Sequence, residues 1–253
     1  MATPSYSIVI PAFNESRRIG ASLDRIRRFL EESGWDAEVI VVNDGSTDDT
    51  AALVRSFAGH DTRVHLLENP CNSGKGYSVR HGMLQARGEW LVFSDADLSA
   101  PISEAVKLVA ALRDGADVAI GSRWVRPELM TERQPVYRQL MGRVFNLMLR
   151  VLLGLQFKDT QCGLKAFTRR AALELFPRQR IERWAFDPEL LFLARRLGLH
   201  TVEVPVEWAH GEGSKINPVV DGMRMMGEIM SIRWNAITGR YQKPLMAAVD
   251  GAR

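Results

Sequence analysis

No uninterrupted apolar stretch of about 18 residues occurs in this sequence, so nothing in it predicts a helix that spans a membrane. Cysteine is scarce: Cys71 and Cys162 stand far apart and in no metal-ligand spacing, which predicts free thiols in a reducing compartment. The net charge is only +3, with no Lys/Arg block and no aromatic–basic alternation, so nucleic acid is not expected as a partner. None of the five histidines pairs with Ser or Cys in an esterase-like arrangement, and G-x-S-x-G is absent. The Walker A spacing is missing, as are internal repeats and low-complexity tracts. Met1–Ser5 has no charged n-region and runs straight into a strand, so no signal peptide is expected. These absences point to a cytoplasmic globular chain, though not one barred from a membrane surface.

The 253 residues, 46% hydrophobic and 25% charged, suffice for a substantial core. Val/Ile/Leu-rich runs at 6–12, 38–43, 63–67, 90–95 and 117–122 alternate with helically spaced segments at 15–33, 48–58, 74–87 and 102–114. Asp48 or Asp49 is a plausible N-cap for the second of these helices, and Ser103 lies near the start of the fourth. The alternation predicts an α/β fold, a Rossmann-like, mostly parallel sheet flanked by helices and built from right-handed crossovers. After Arg126-Pro127 the character changes. Segments 136–155 and 218–238 predict C-terminal amphipathic helices with wide apolar faces interrupted by arginines. Either they pack on each other and on the sheet, or they form an interfacial surface whose basic residues face lipid head groups.

Asp95-Ala96-Asp97 closes an apolar strand. Carboxylates at i and i+2 of a strand end point to one side, where they can hold a hard divalent cation and, through it, a nucleotide diphosphate. Alone, such a triplet is more often a solvated turn. Here Ser7–Glu15 and Val39–Asp48 also end apolar strands in acidic or amide side chains, and together they predict one crevice at the carboxyl ends of a parallel sheet. Asp44 either accepts from a uracil N–H or a ribose hydroxyl, or caps the turn Gly45–Asp48. Pro11, Phe13, Asn14 and Glu15 would line the same pocket. Lys75, just ahead of a helix, is either a phosphate-binding cation or an ordinary surface lysine. Arg123 ends the fifth strand, where its fork can clamp phosphate oxygens. Asp159–Phe167 adds a carboxylate and Lys165. Asp187 opens an apolar helix, as its N-cap or as a site residue. The loop Gly211–Lys215 carries one cation, Lys215, able to fold over a diphosphate.

The series Ile8–Glu15, Val39–Asp48, Asp95–Asp97, Gly121–Arg123, Asp159–Phe167, Glu182–Leu191 and Gly213–Lys215 resembles the family 2 glycosyltransferases of the GT-A fold, from Ser7 to about Tyr241. Asp159–Gly163 and Glu182–Asp187 are its specific motifs. Within the family it is most similar to the dolichyl-phosphate β-glucosyltransferases, with the mannose synthases next. The resemblance implies an inverting, metal-dependent hexosyltransferase that moves glucose from UDP-glucose to a polyprenyl (dolichyl-type) monophosphate. Such an enzyme would be peripheral on the cytoplasmic face of a membrane.

The resemblance also implies residue roles. Asp44 contacts the base, with Pro11, Phe13, Asn14, Glu15 and Ala96 around the nucleotide sugar. Asp95 and Asp97 handle the ribose and the metal, Mg2+ or Mn2+, and Lys75 and Lys215 meet the diphosphate. Arg123, Asp159 and Lys165 receive the acceptor, and Asp187 joins Asp97 and Arg123 in catalysis. One domain, 1–253, would comprise a nucleotide-sugar-binding half (6–126) and an acceptor-binding, membrane-facing half (127–241). Ser99 stands where mannose synthases commonly offer Gln. A GDP-mannose-dependent mannosyltransferase and a non-catalytic nucleotide-binding membrane adaptor are the alternatives. A processive synthase is disfavoured, because Gln179–Trp184 is one residue too long for Q-x-x-R-W.

Overall fold

Continuous β-branched runs fit a strand covered on both faces. In the computed structural model, which describes residues 3–129, 147–209, 218–242 and 245, β1 (Tyr6–Ala12) and β2 (Ala37–Asn43) are buried at every position. Helices α1 (Ile19–Ser33) and α2 (Thr50–Ala58) follow them, and then β3 (Val64–Glu68), α3 (Lys75–Gln85), β4 (Trp90–Ser94), α4 (Ala105–Arg113) and β5 (Val118–Ser122). Beyond these come a helix at 147–153, α5, then β6 (Leu164–Thr168), α6 (Arg169–Leu175), α7 (Phe186–Arg196), β7 (Thr201–Pro205) and α8 (Pro218–Ile237). The strands form one sheet in the order β3-β2-β1-β4-β6-β5-β7. β6 pairs antiparallel with both neighbours, and the remaining pairings are parallel.

The side-chain period of two splits the core. Ile8, Ile10, Val39, Val41 and Val92 face α1, α2 and α4. Val9, Ile40, Val42, Leu91 and Phe93 face α3, α6, α7 and α8. Each such side chain contributes roughly 1.5–3 kcal/mol of burial.

The expected elements between 6 and 124 are present, with shifted ends. α1 begins at Ile19 rather than at residue 15, because Asn14 turns left-handed at φ 54°. The side-chain cap of α2 comes from Asp48, whose Oδ1 accepts from Thr50 N at 3.0 Å, whereas Asp49 at the N-cap position makes no such bond. β6 and β7 were not expected. β6 (Leu-Lys-Ala-Phe-Thr) carries a lysine at a buried position, and β7 (Thr-Val-Glu-Val-Pro) is half-buried throughout. Neither shows the apolar run that marks the first five strands.

α5 and α8 each bury one apolar face and leave other apolar side chains exposed. Leu149, Leu153, Ile229 and Ile232 are buried in the second core, while Val151, Trp234 and Ile237 are exposed at 76%, 60% and 74%. Residues 136–146 of the first segment lie outside the described residues.

Candidate active site

β2, β1 and β4 are neighbours in the sheet and deliver their carboxyl ends to one edge, where antiparallel β6 begins. Consecutive strands depart from β1 to opposite sides, the arrangement that leaves a crevice in such sheets. Pro11 suits the opening because it has no N–H to leave unpaired. Pairing of β1 with β4 stops at Val9, whereas pairing with β2 runs on to Ala12.

Phe13 stands at the mouth, 36% exposed. Asn14 Oδ1 accepts from Thr47 N at 2.8 Å, and Glu15 N donates to Thr50 Oγ1 at 2.8 Å. Glu15 also pairs with Arg18, so the two strand-end loops are laced into one wall. Arg18, which the motifs did not single out, has its charge reinforced first by Glu15 and, against burial, by Asp97 and Asp95. Its place one turn after Glu15 was the available signal.

Asp44 is a capping residue, though not of the turn expected. It is buried. Its Oδ1 accepts from Asn69 Nδ2 at 2.8 Å and Ser73 N at 2.9 Å, and its Oδ2 from Gly74 N at 2.8 Å. Asp44 therefore fixes the loop that enters α3. Asn69, whose Oδ1 lies 2.8 Å from His81 Nδ1, is a supporting residue that no motif flagged.

Lys75 is no ordinary surface lysine. Its Nζ lies 2.6 Å from Asp95 Oδ1, and 5.4 and 5.5 Å from the ring centroids of Phe93 and Trp184. Burial works against its charge, but Asp95, with Asp187 and Asp97, outweighs it and raises the pKa. Lys165, whose Nζ lies 5.8 Å from the same Phe93 ring centroid, is 1% exposed. Its Nζ donates to Cys162 O at 2.7 Å and lies 2.6 Å from Asp187 Oδ1.

Lys165, expected to receive the acceptor, makes both of these contacts inside the protein, one of them to Asp187. Asp187 sits inside the first turn of α7, whose N-cap is Ala185. Burial pushes its carboxyl above the usual range, and Lys165 and Lys75 offset this only in part. Both lysines thus lie near Phe93, each paired with an aspartate.

Asp95 N donates to Gly163 O at 2.9 Å. A Cβ at Gly163 would lie 2.0 Å from Asp95 Oδ2, so only glycine lets β6 approach this carboxylate. Ala96 is buried, and its carbonyl accepts from Ser22 Oγ at 2.6 Å. Asp97 is half-buried, with Oδ1 accepting from Ser99 N at 3.0 Å. Among the described residues no three His, Cys, Asp or Glu side chains converge. Asp95 and Asp97 fit a hard cation in the manner of sites completed by substrate phosphates and water.

Arg123 and Asp159, both expected to receive the acceptor, form one ion pair. Nε meets Oδ2 at 2.6 Å and Nη2 meets Oδ1 at 2.9 Å, with the guanidinium 5.4 Å from the Trp208 ring centroid. Burial opposes both charges, yet each partner outweighs it, raising the Arg123 pKa and lowering that of Asp159. Burial pushes the nearby Cys162 thiol up to about 12, which makes it unreactive. Lys215 and His210 lie outside the described residues.

A charged crevice at the switch point of a mostly parallel sheet, with two Lys–Asp pairs beside Asp97, defines an α/β protein whose site lies at the carboxyl ends of its strands. The model of glycosyl transferase family 2 matches residues 7–176, and the chain belongs to that family. It is 38% identical to a dolichyl-phosphate β-glucosyltransferase of Trichomonas vaginalis, with 87% of this chain and 68% of that protein aligned. The Dictyostelium discoideum enzyme of that name is 34% identical (93% and 76% covered), and the human one 32% (95% and 78%). Glucosyl-3-phosphoglycerate synthase from Mycobacterium tuberculosis, solved with phosphoglyceric acid, shares the fold at a TM-score of 0.67 and 23% identity. That match covers 95% of this chain and 81% of the other. The same TM-score, identity and coverage hold for its complex with Mn2+, UDP-glucose and phosphoglyceric acid. The GT-A fold expected from the motifs is borne out.

Proposed function

We propose that this enzyme moves glucose from UDP-glucose to a polyprenyl, dolichyl-type, monophosphate with inversion at the anomeric carbon. The observation that carries the reading is the cluster of Lys75, Asp95, Lys165 and Asp187 beside Asp97. It occurs in a chain 32–38% identical to proteins named dolichyl-phosphate β-glucosyltransferases.

A phosphate monoester is already anionic at neutral pH, so its oxygen can attack C1 without a strong base, and the enzyme's task is positioning and charge stabilisation. Lys75 meets the donor diphosphate at the mouth of α3. Pro11, Phe13, Asn14, Glu15 and the Asp44 loop enclose the nucleotide, with Ala96 at the sugar side. Asp95 and Asp97 would hold Mg2+ or Mn2+, which would supply counter-charge to the departing UDP. Asp187, oriented by Lys165, faces the sugar or the acceptor. The Mn2+ and UDP-glucose complex of the mycobacterial synthase supports a divalent cation without choosing between the two metals. A panel of UDP-glucose, GDP-mannose and UDP-N-acetylglucosamine against a short polyprenyl phosphate, with and without EDTA, tests the reading. Nucleotide release should require UDP-glucose, acceptor and metal together, and a preference for GDP-mannose overturns the assignment.

Arg123, held in its fork by Asp159 and stacked near Trp208, positions the acceptor phosphate. Lysine cannot reproduce a bidentate fork. Arg123→Lys should therefore cost about 1–3 kcal/mol in kcat/KM for the lipid phosphate, the scale of a charged hydrogen bond. UDP-glucose binding by titration calorimetry should change little. Collapse of donor affinity instead would assign Arg123 to the diphosphate.

The acceptor's tail stays in the bilayer, and the enzyme sits peripherally on the cytoplasmic face. Among the described residues no helix is long and apolar enough to cross a membrane. Exposed Leu147 and Val151 of α5, with Met226, Met230 and Trp234 of α8, form the surface that meets lipid. A shallow depression of about 450 Å³ between α5 and α7, edged by Arg195, Arg196 and Arg233, suits anionic head groups. The protein should float with liposomes, more with anionic lipid and less at high salt. Retention in the soluble fraction at low salt would show these faces to be packing surfaces only.

A further inference from the structure

The turn Glu182–Ala185 touches both the crevice and the helix that faces lipid. On one side it locks onto the start of α3, where Gly76 N donates to Arg183 O at 3.2 Å and Tyr77 N to Glu182 O at 2.9 Å. Gly74, at φ 107°, fits so closely that a Cβ would stand 2.4 Å from Glu182 O. Trp184 presents its ring to Lys75, and Asp187 follows in the first turn of α7. On the other side stands Glu228 of α8, outside every motif. Its Oε2 accepts from Ala185 N at 2.8 Å across a sequence separation of 43. Ala185 is the N-cap of α7, so an acidic side chain from a distant helix meets that helix's positive end.

In α8, Met226, Met230, Trp234 and Ile237 are exposed, while Ile229 and Ile232 are buried in the core shared with α7. At about 100° per residue, Glu228 falls on the side turned away from the exposed apolar stripe.

We propose that Glu228 is a positioning residue that joins α8 to the Trp184–Asp187 turn. Through that turn it sets Lys75 and Asp187, so that seating α8 on lipid reaches the crevice. The proposal rests on the glucosyl-transfer reading for its kinetic consequence and on geometry alone for the tie itself.

Glu228→Ala, Glu228→Gln and Ile232→Ala are compared on anionic vesicles containing polyprenyl phosphate. Glu228→Ala should lower kcat about tenfold or more while the KM for UDP-glucose stays within about twofold. Glutamine keeps an acceptor oxygen, so Glu228→Gln should recover kcat to within about threefold. Ile232→Ala loosens the same helix without touching the turn; it should lose at least as much melting temperature yet keep kcat within about threefold. Hydrogen exchange of the 182–187 amides should quicken about tenfold in Glu228→Ala and not in Ile232→Ala. Wild-type kcat in Glu228→Ala, or a loss matching that of Ile232→Ala, overturns the proposal, as does unchanged exchange at 182–187. Absence of glucosyl transfer in the wild type would sink the functional reading instead, and the exchange measurement would still decide the tie.

Discussion

Replacing Asp97 with alanine should lower kcat for glucosyl transfer by about 100-fold or more, a loss of roughly 3 kcal/mol or more of transition-state stabilisation. Asp97 is half-buried and accepts from Ser99 N, so the folded state should lose only about 1 kcal/mol. The large kinetic effect would arise because UDP must leave as an anion, and on the proposed reading Asp97 would help hold the cation that balances it. Stopped activity in EDTA, restored by Mg2+ or Mn2+, should accompany the mutant result. Full turnover in either the mutant or EDTA would show that Lys75 and Arg18 balance the diphosphate without metal.

Lys165→Met should be the most destabilising single change in the site, by about 3–5 kcal/mol in urea unfolding, because it leaves Asp187 charged and buried without its partner. Lys165 and Asp187 have side-chain exposures of 1% and 6% and stand 2.6 Å apart. Solvent therefore screens the pair little. Removing both charges in Lys165→Met/Asp187→Leu should return most of that stability while leaving the enzyme inactive. A single mutant within about 1 kcal/mol of wild type would mean that Asp187 is neutral in the folded protein, and that the pair is a hydrogen bond rather than an ion pair.

Much of this architecture could be read from local pattern. β1 to β5 announce themselves because uninterrupted apolar runs separated by helical spacing have few other ways to be buried. β6 and β7 do not, since their burial comes from neighbours distant in sequence: β6 inserts between β4 and β5 and carries Lys165 into the core. The same logic divides the site residues. Asp95 and Asp97 are visible as a strand-end triplet. The pairing of Arg123 with Asp159, the pairing of Lys165 with Asp187 and the reach of Asp44 to Ser73 and Gly74 are long-range facts. No spacing rule relates such residues, and a lysine in Leu-Lys-Ala-Phe-Thr looks exposed until its partner in α7 is known. Glu228 and Asn69 escaped notice for the same reason.

Glucosyl transfer to lipid is the most direct measurement. The purified protein is incubated with radiolabelled UDP-glucose, vesicles containing polyprenyl monophosphate, and Mg2+, and label is followed into the organic phase. The expected product is a β-linked glucosyl phosphate, its anomeric configuration read by NMR, formed only with metal and acceptor present. UDP release without lipid-borne glucose, an α-linked product, or greater transfer from GDP-mannose would contradict it.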